Sequence, residues 1–278
     1  SREDAHEAGA TRLPAAPLPS APESWLQSTQ PLTIEALKGR IVVLDFWTYC
    51  CINCMHVLPE LAAVEAHFEG QPVTIIGVHS AKFPTEAERT QLEKAIRRHD
   101  IRHPVVHDPT HETWKAWGVK SWPTVTILDA EGRIAWTRPG EPDRHTLIAT
   151  VERLLAEGRD TGMLGDYALA VETSPPHTET LRFPGKVRAW PSTAGQEMGR
   201  DPLGPDARLY VTDTGNHRIL ELSLSKGEDG WPRASHLRTF GCGEAGHQDG
   251  PIQLARFREP QGCDREGDQL YVADTGNH

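Results

Sequence analysis

A chain of 278 residues with 37% hydrophobic and 24% charged residues is long enough for two globular domains, each with its own core. The formal charge of −10 argues against sequence-independent nucleic-acid binding, which needs a positive surface, and no apolar run reaches the roughly 20 residues of a membrane-spanning helix. Five cysteines in so long a chain do not suggest a disulfide-stapled scaffold, so the cluster Cys50, Cys51 and Cys54 reads as catalytic or metal-binding.

Residues 1–23 carry Pro14, Pro17, Pro19 and Pro22 among Ala, Glu and Ser, which predicts a disordered tail. No basic segment followed by an apolar one opens the chain, so a cytoplasmic protein is expected. The run IVVLDFW at 41–47 has the length and β-branched content of a buried parallel strand. Apolar residues at Val57, Leu58, Leu61, Val64 and Phe68 predict a helix over 55–68, bent at Pro59. A second buried strand covers 73–79 and an amphipathic helix 85–99. A short extended segment at 104–108, a short helix at 110–117, strands at 124–129 and 133–138 and a helix at 143–156 follow. This alternation predicts one α/β domain over 24–157.

Residues 158–180, with Pro175 and Pro176, read as a linker. Beyond them the helical signal vanishes, and LYVTDTGNH at 209–217 returns as LYVADTGNH at 270–278. Such repeats, with strand-like runs and Gly/Asn turns, predict all-β propeller blades. Residues 181–278 would supply about one and a half blades, the second copy stopping before the strand that Arg218–Leu224 gives the first.

Cys51 and Cys54 open a helix directly after a buried strand, where unpaired N–H groups and the helix dipole favour a thiolate. Cys51 is therefore expected to attack and Cys54, one turn in, to resolve the mixed disulfide. The segments DFWTYCCINCMHVLPEL at 45–61 and SWPTVTILDAEGRI at 121–134 resemble the thioredoxin and TlpA-like active site. The resemblance implies a cis proline at Pro123, which with Trp122 forms a ledge for an extended substrate. It also implies that Asp45 is the buried acid assisting the resolving cysteine, the alternative being a strand-end acid with local hydrogen bonds. Ile52 and Asn53 replace the family's Gly-Pro, and Cys50 stands in place of a tryptophan. Cys50 is either a third redox thiol or, as favoured here, a packed free thiol.

CCINC followed by the repeats is similar to the NHL repeat-containing protein 2 family, in which a thioredoxin-like domain precedes a propeller. Its repeat signature falls on Asp213, Gly215, Asn216 and His217, then on Asp274, Gly276, Asn277 and His278, read as structural turn residues. Because a propeller needs at least about four blades to close, a fragment that ends within its second blade is expected. No metal or other cofactor is implied.

Several patterns compete with this reading. His99, His103, His107 and His111 recur every four residues, but Pro104 and Pro109 forbid the single helix that would align them as ligands. Cys50, Cys51, Cys54 and His56 could hold zinc, although structural zinc sites usually draw on two segments. The two Asp-Thr-Gly triplets match aspartic proteases, but within repeats they suit tight turns. His79 ends a strand, either near the sulfurs or, as favoured, bonded to backbone. Cys242 and Cys263 are expected as free thiols in loops. Two functions remain: a thiol-disulfide oxidoreductase acting on protein disulfides, with the propeller binding a protein partner, or a scaffold whose redox domain is inactive.

Overall fold

The computed structural model describes residues 12–165, 180–191, 203 and 205–277. The chain forms two compact units, Ser1–Pro175 and Pro176–His278.

The first unit is built on a six-stranded sheet. Its elements in order are β1 (Trp25–Leu26), β2 (Ile41–Trp47), α1 (Ile52–His67), β3 (Val73–Ser80), α2 (Arg89–Arg98), β4 (Val105–Asp108), α3 (Glu112–Ala116), β5 (Thr124–Leu128), β6 (Ile134–Pro139) and α4 (Arg144–Asp160). The strand order is β1-β4-β3-β2-β5-β6. β2, β3 and β4 are parallel, while β1, β5 and β6 run antiparallel to their neighbours. Every residue of β2 is buried, as expected of a central strand with both faces covered.

Successive side chains of β2 alternate between those faces. Ile41 and Val43 pack with Val57, Leu61 and Val64 of α1 and with Leu147, Val151 and Leu154 of α4. Val42, Leu44 and Phe46 pack on the opposite side with Ile76, Val78, Trp114 and Leu128. Asp45 continues the Val43 series, on the face covered by α1. Asp143 caps α4 by accepting from Thr146 N–H at 2.9 Å, which fixes where that helix starts.

Three segments depart from expectation. Of the tail expected over 1–23, residues 1–11 lie outside the described residues and residues 12–22 are docked: Leu13 C=O accepts from Ile134 N–H at 2.8 Å, Ala15 N–H donates to Gly132 C=O at 3.2 Å, and Leu18 is buried in the sheet core. The prolines exclude helix and central strand, yet an extended arm needs neither. Residues 158–165 belong to the domain rather than to a linker, since α4 runs to Asp160 and Gly165 N–H donates to Gly39 C=O at 2.9 Å; residues 166–179 lie outside the described residues. The helix expected over 85–99 is broken, a 3-10 turn at Pro84–Ala87 preceding α2.

The second unit is β-rich. β7 (Val187–Trp190), β8 (Arg208–Asp213), β9 (Arg218–Lys226) and β10 (Pro232–Phe240) form an antiparallel meander, and β11 (Pro260–Glu266) pairs with β12 (Gln269–Asp274). Among the described residues the sheets do not close into a ring. Tyr210, Ile219 and Cys263 form a buried cluster between them, so Cys263 is a core residue on a strand and not a loop thiol. Cys242 is exposed, outside any helix or strand. Among the described residues no helix is long and apolar enough to cross a membrane.

Candidate active site

The chain leaves β2 at Trp47, turns through Thr48, Tyr49 and Cys50, and enters α1 with Cys51 at the N-cap. Cys51 N–H donates to Thr48 C=O at 3.2 Å, and Cys51 C=O accepts from Cys54 N–H at 3.0 Å and Met55 N–H at 3.1 Å. The three clustered cysteines are free thiols in graded environments: Cys50 exposed, Cys51 half-buried, Cys54 buried. The Cys54 thiol lies against Cys51, and burial first, then the bond to Cys51, drives its pKa up. Cys50 is therefore exposed rather than the packed thiol expected.

Asp45 is wholly buried, and neither carboxylate oxygen has a hydrogen-bond partner. Burial pushes its pKa up to about 8. The local-hydrogen-bond alternative does not hold, since nothing bonds the carboxylate. Its charge acts on Cys54, which places the two side chains within electrostatic reach of each other.

The Trp122-Pro123 peptide is cis. The register of β2 with β5 pairs Phe46 with Thr124, so Pro123 comes level with the end of β2 where the cysteine loop begins. Trp122 packs against Trp114 with ring centroids 4.3 Å apart and planes tilted by 35°, and contacts the same apolar cluster as Cys51 and Cys54.

His79 sits in β3 opposite Trp47. It is buried between the Trp47 ring, in a T-shaped contact at 5.0 Å, and the Tyr49 face at 5.3 Å, and neither ring nitrogen bonds another residue. Burial pushes its pKa down to about 3. Gly77, two residues earlier, leaves room for the Trp47 indole; a Cβ there would lie 2.9 Å from Trp47 Nε1.

Glu86 was not legible as a site residue. From the 3-10 turn its carboxylate, only 1% exposed, accepts from Thr48 Oγ1 at 2.7 Å and Cys50 N–H at 3.0 Å, and from Lys82 N–H at 2.7 Å and Phe83 N–H at 3.0 Å. Burial works to raise its pKa, but these bonds outweigh it and the carboxyl titrates below its usual range. The sequence signal is slight, a glutamate two residues after Pro84 in an irregular stretch.

The competing patterns dissolve in the geometry. His103 contacts Glu65 at 3.1 Å, His107 lies in β4, and His111 meets Ala81 C=O at 2.5 Å. His56 faces Glu141 at 3.0 Å rather than the cysteines.

The repeat residues form matching turns. Asp213 accepts from Arg182 N–H at 2.7 Å, Asn216 Nδ2 at 2.9 Å and Arg218 Nε at 2.8 Å. Asp274 accepts from Arg258 N–H at 2.7 Å and Asn277 Nδ2 at 2.6 Å. Among the described residues these carboxylates take their backbone donors not from their own loops, as tight-turn chemistry suggested, but from Arg182 and Arg258, so that each staples its loop to an earlier segment. Gly215 and Gly276 donate to Arg182 and Arg258 C=O, each at 2.8 Å, and a Cβ at either glycine would come within 2.8 Å of that same oxygen. His217 accepts from Glu259 N–H at 3.1 Å, tying the first turn to the residues that lead into β11. His278 lies outside the described residues. The missed signal was a second repeat, Arg182-Phe183-Pro184 and Arg258-Glu259-Pro260.

Comparison with known proteins agrees with this architecture. A thioredoxin-like family model matches residues 39–134. NHL repeat-containing protein 2 of Gallus gallus is 36% identical over 260 residues, 91% of this chain and 33% of that protein. Protein SUPPRESSOR OF QUENCHING 1, chloroplastic, of Arabidopsis thaliana is 36% identical over 262 residues, 91% of this chain and 23% of that protein. Thiol-disulfide oxidoreductase ResA of Bacillus subtilis is 28% identical over 144 residues, 51% of this chain and 77% of that protein. The chain thus spans about a third or less of the two relatives that match along nearly its whole length. With its thioredoxin-like domain followed by a β-rich repeat region, the chain belongs to the NHL repeat-containing protein 2 family.

Proposed function

We propose that the chain is a thiol-disulfide oxidoreductase acting on protein disulfides through Cys51 and Cys54. The observation that carries the reading is the grading of the pair: Cys51 half-buried at the helix start, Cys54 buried one turn behind with its thiol against Cys51. The Cys51 thiolate attacks one sulfur of the target disulfide, forming a mixed disulfide and releasing the target's other sulfur as a thiolate. Cys54 gives its proton to Asp45 and attacks Cys51, releasing the second target thiol. The target gains two electrons and the pair is left as a disulfide; oxidation of a target dithiol is the reverse. Asp45 suits the transfer because burial holds its pKa near working pH. Trp122 and Pro123 form the ledge for the target's backbone. The relationship to ResA, a thiol-disulfide oxidoreductase by name, supports the reaction class.

The repeats serve as a propeller platform for a protein partner in the same proposal. An odd, sparse set of cysteines favours a reducing compartment, and a cytoplasmic location completes it. A non-catalytic scaffold is the second reading, favoured by Ile52, which is 66% exposed beside Cys51. Titration in glutathione buffers separates the two. Oxidoreductase function requires Cys51 and Cys54 to interconvert between dithiol and disulfide in a two-electron transition that Cys51→Ser and Cys54→Ser each abolish. A pair that stays reduced under oxidising poise leaves the scaffold.

A further inference from the structure

Exchange needs two thiols, and this site presents three within five residues. Cys50 is the most exposed of them, so exposure alone would make it the first to meet an incoming disulfide. The chain has to prevent a futile mixed disulfide there, from which Cys54 would not be the designed exit.

We propose that Glu86 is a positioning residue that stitches the cysteine loop to the 82–86 segment and holds Cys50 as a protonated thiol, leaving Cys51 alone to attack. The inference rests on the exchange reading of Cys51 and Cys54. One carboxylate oxygen takes the Thr48 hydroxyl and the Cys50 N–H, the other takes Lys82 and Phe83 N–H. Two segments separated by more than 30 residues are thereby joined through one ionised group. Four donors satisfy that charge, which is what allows it to stay ionised while buried.

Cys50 N–H donates to Glu86 Oε1 at 3.0 Å, which brings the thiol of the same residue under the influence of the carboxylate. An ionised carboxylate can only accept, so the pairing persists while sulfur keeps its proton and turns repulsive once it is lost. The other groups around Cys50 do not reverse this. Thr48 favours the thiolate through a hydrogen bond, and the Lys82 cation acts in the same direction. Tyr49 directs its hydroxyl to Thr85 C=O at 3.1 Å, and His79, which feels the Glu86 charge, is kept neutral by burial. Partial burial of the sulfur first, and Glu86 second, raise the Cys50 pKa to about 11. At pH 8 such a thiol carries about a hundredfold less thiolate than an ordinary cysteine.

The test is the pH profile of alkylation of the reduced full chain by iodoacetamide, read site by site by mass spectrometry. In the parent chain Cys51 labels first at neutral pH and Cys50 lags by at least about tenfold. Glu86→Gln removes the charge and sets an amide N–H₂ against the Lys82 and Phe83 donors, so the Cys50 profile moves down by at least one pH unit. Glu86→Asp keeps the charge and restores much of the lag. Lys82→Met, at an exposed side chain, leaves the carboxylate bonds intact and slows Cys50 further; it serves also if Glu86→Gln fails to fold. Cys50 labelling as fast as Cys51 in the parent, or unmoved profiles in both the folded Glu86→Gln and the Lys82→Met chains, overturns the proposal. Failure of the pair to cycle in glutathione overturns the exchange reading instead, and the two failures are read in separate experiments.

Discussion

Tyr49 lies flat on His79, with ring centroids 5.3 Å apart and planes 12° from parallel, so the turn leading into the cysteines rests on a buried imidazole. Burial holds that imidazole neutral, its pKa pushed down to about 3. An unfolded histidine takes up its proton near pH 6.5, so between about 6.5 and 3 the unfolded chain binds the extra proton. Stability from this residue is therefore intact above pH 6.5 and is lost as pH falls through the window, by a few kcal/mol at most. His79→Phe keeps the stacked ring and flattens the acid limb of the urea midpoint measured at pH 7.5, 5 and 4. Parallel losses in parent and variant would rule out His79 as the source.

Asp45 carries the opposite sign. Its folded pKa of about 8 lies above the ordinary carboxyl value, so between about pH 4 and 8 the native state holds a proton that the unfolded chain has released. Its contribution is complete below pH 4 and fades as pH rises through 8. Asp45→Asn removes the titration, and the variant gains on the parent with rising pH, by on the order of 5 kcal/mol at most. The same change slows resolution of the mixed disulfide, seen as accumulation of the Cys51-linked species. A stability difference constant from pH 4 to 8 contradicts the buried-acid assignment.

The contrast between Asp45 and Glu86 shows what the sequence made legible. Asp45 interrupts an apolar run whose length already implies a buried strand, so its anomaly is local and visible. The cysteines follow that strand and open the next helix, again a local order. Glu86 acquires its role only when Thr48 and Cys50 arrive from 36 or more residues away, and nothing near it marks that meeting. The arm at 12–22 escaped for a similar reason. Its prolines report what the backbone cannot form, whereas its docking depends on the open edge of β6 and on an apolar site for Leu18.

That arm predicts a measurable asymmetry between two leucines. Leu18 is 6% exposed and packs with Trp25, Leu32 and Leu128, whereas Leu13 is 69% exposed and contributes its backbone carbonyl to Ile134. Leu18→Ala leaves a cavity and costs about 2–3 kcal/mol. Leu13→Ala stays within about 0.5 kcal/mol. Denaturant unfolding of the two variants measures the difference, and equal effects would mean that the arm is not part of the folded unit.

The repeat turns allow a paired comparison within one molecule. Asp213 is wholly buried and accepts from three donors, Arg182 N–H, Asn216 Nδ2 and Arg218 Nε. Asp274 is half-buried and accepts from Arg258 N–H and Asn277 Nδ2. Asp213→Ala strands a buried backbone donor and the Arg218 guanidinium together, a loss of about 2–4 kcal/mol, whereas water replaces part of what Asp274→Ala removes and the cost is about 1 kcal/mol. Gly215→Ala and Gly276→Ala act on the same staple from the other side, by driving a methyl group toward the Arg182 or Arg258 carbonyl. Hydrogen exchange on the full chain reads each turn separately: Asp213→Ala and Gly215→Ala should speed exchange in β8 and β9 while leaving α1 and β2 unchanged. Equal, small effects at Asp213 and Asp274, or loosening that spreads into the cysteine domain, would mean that the repeated aspartates do not act as local staples.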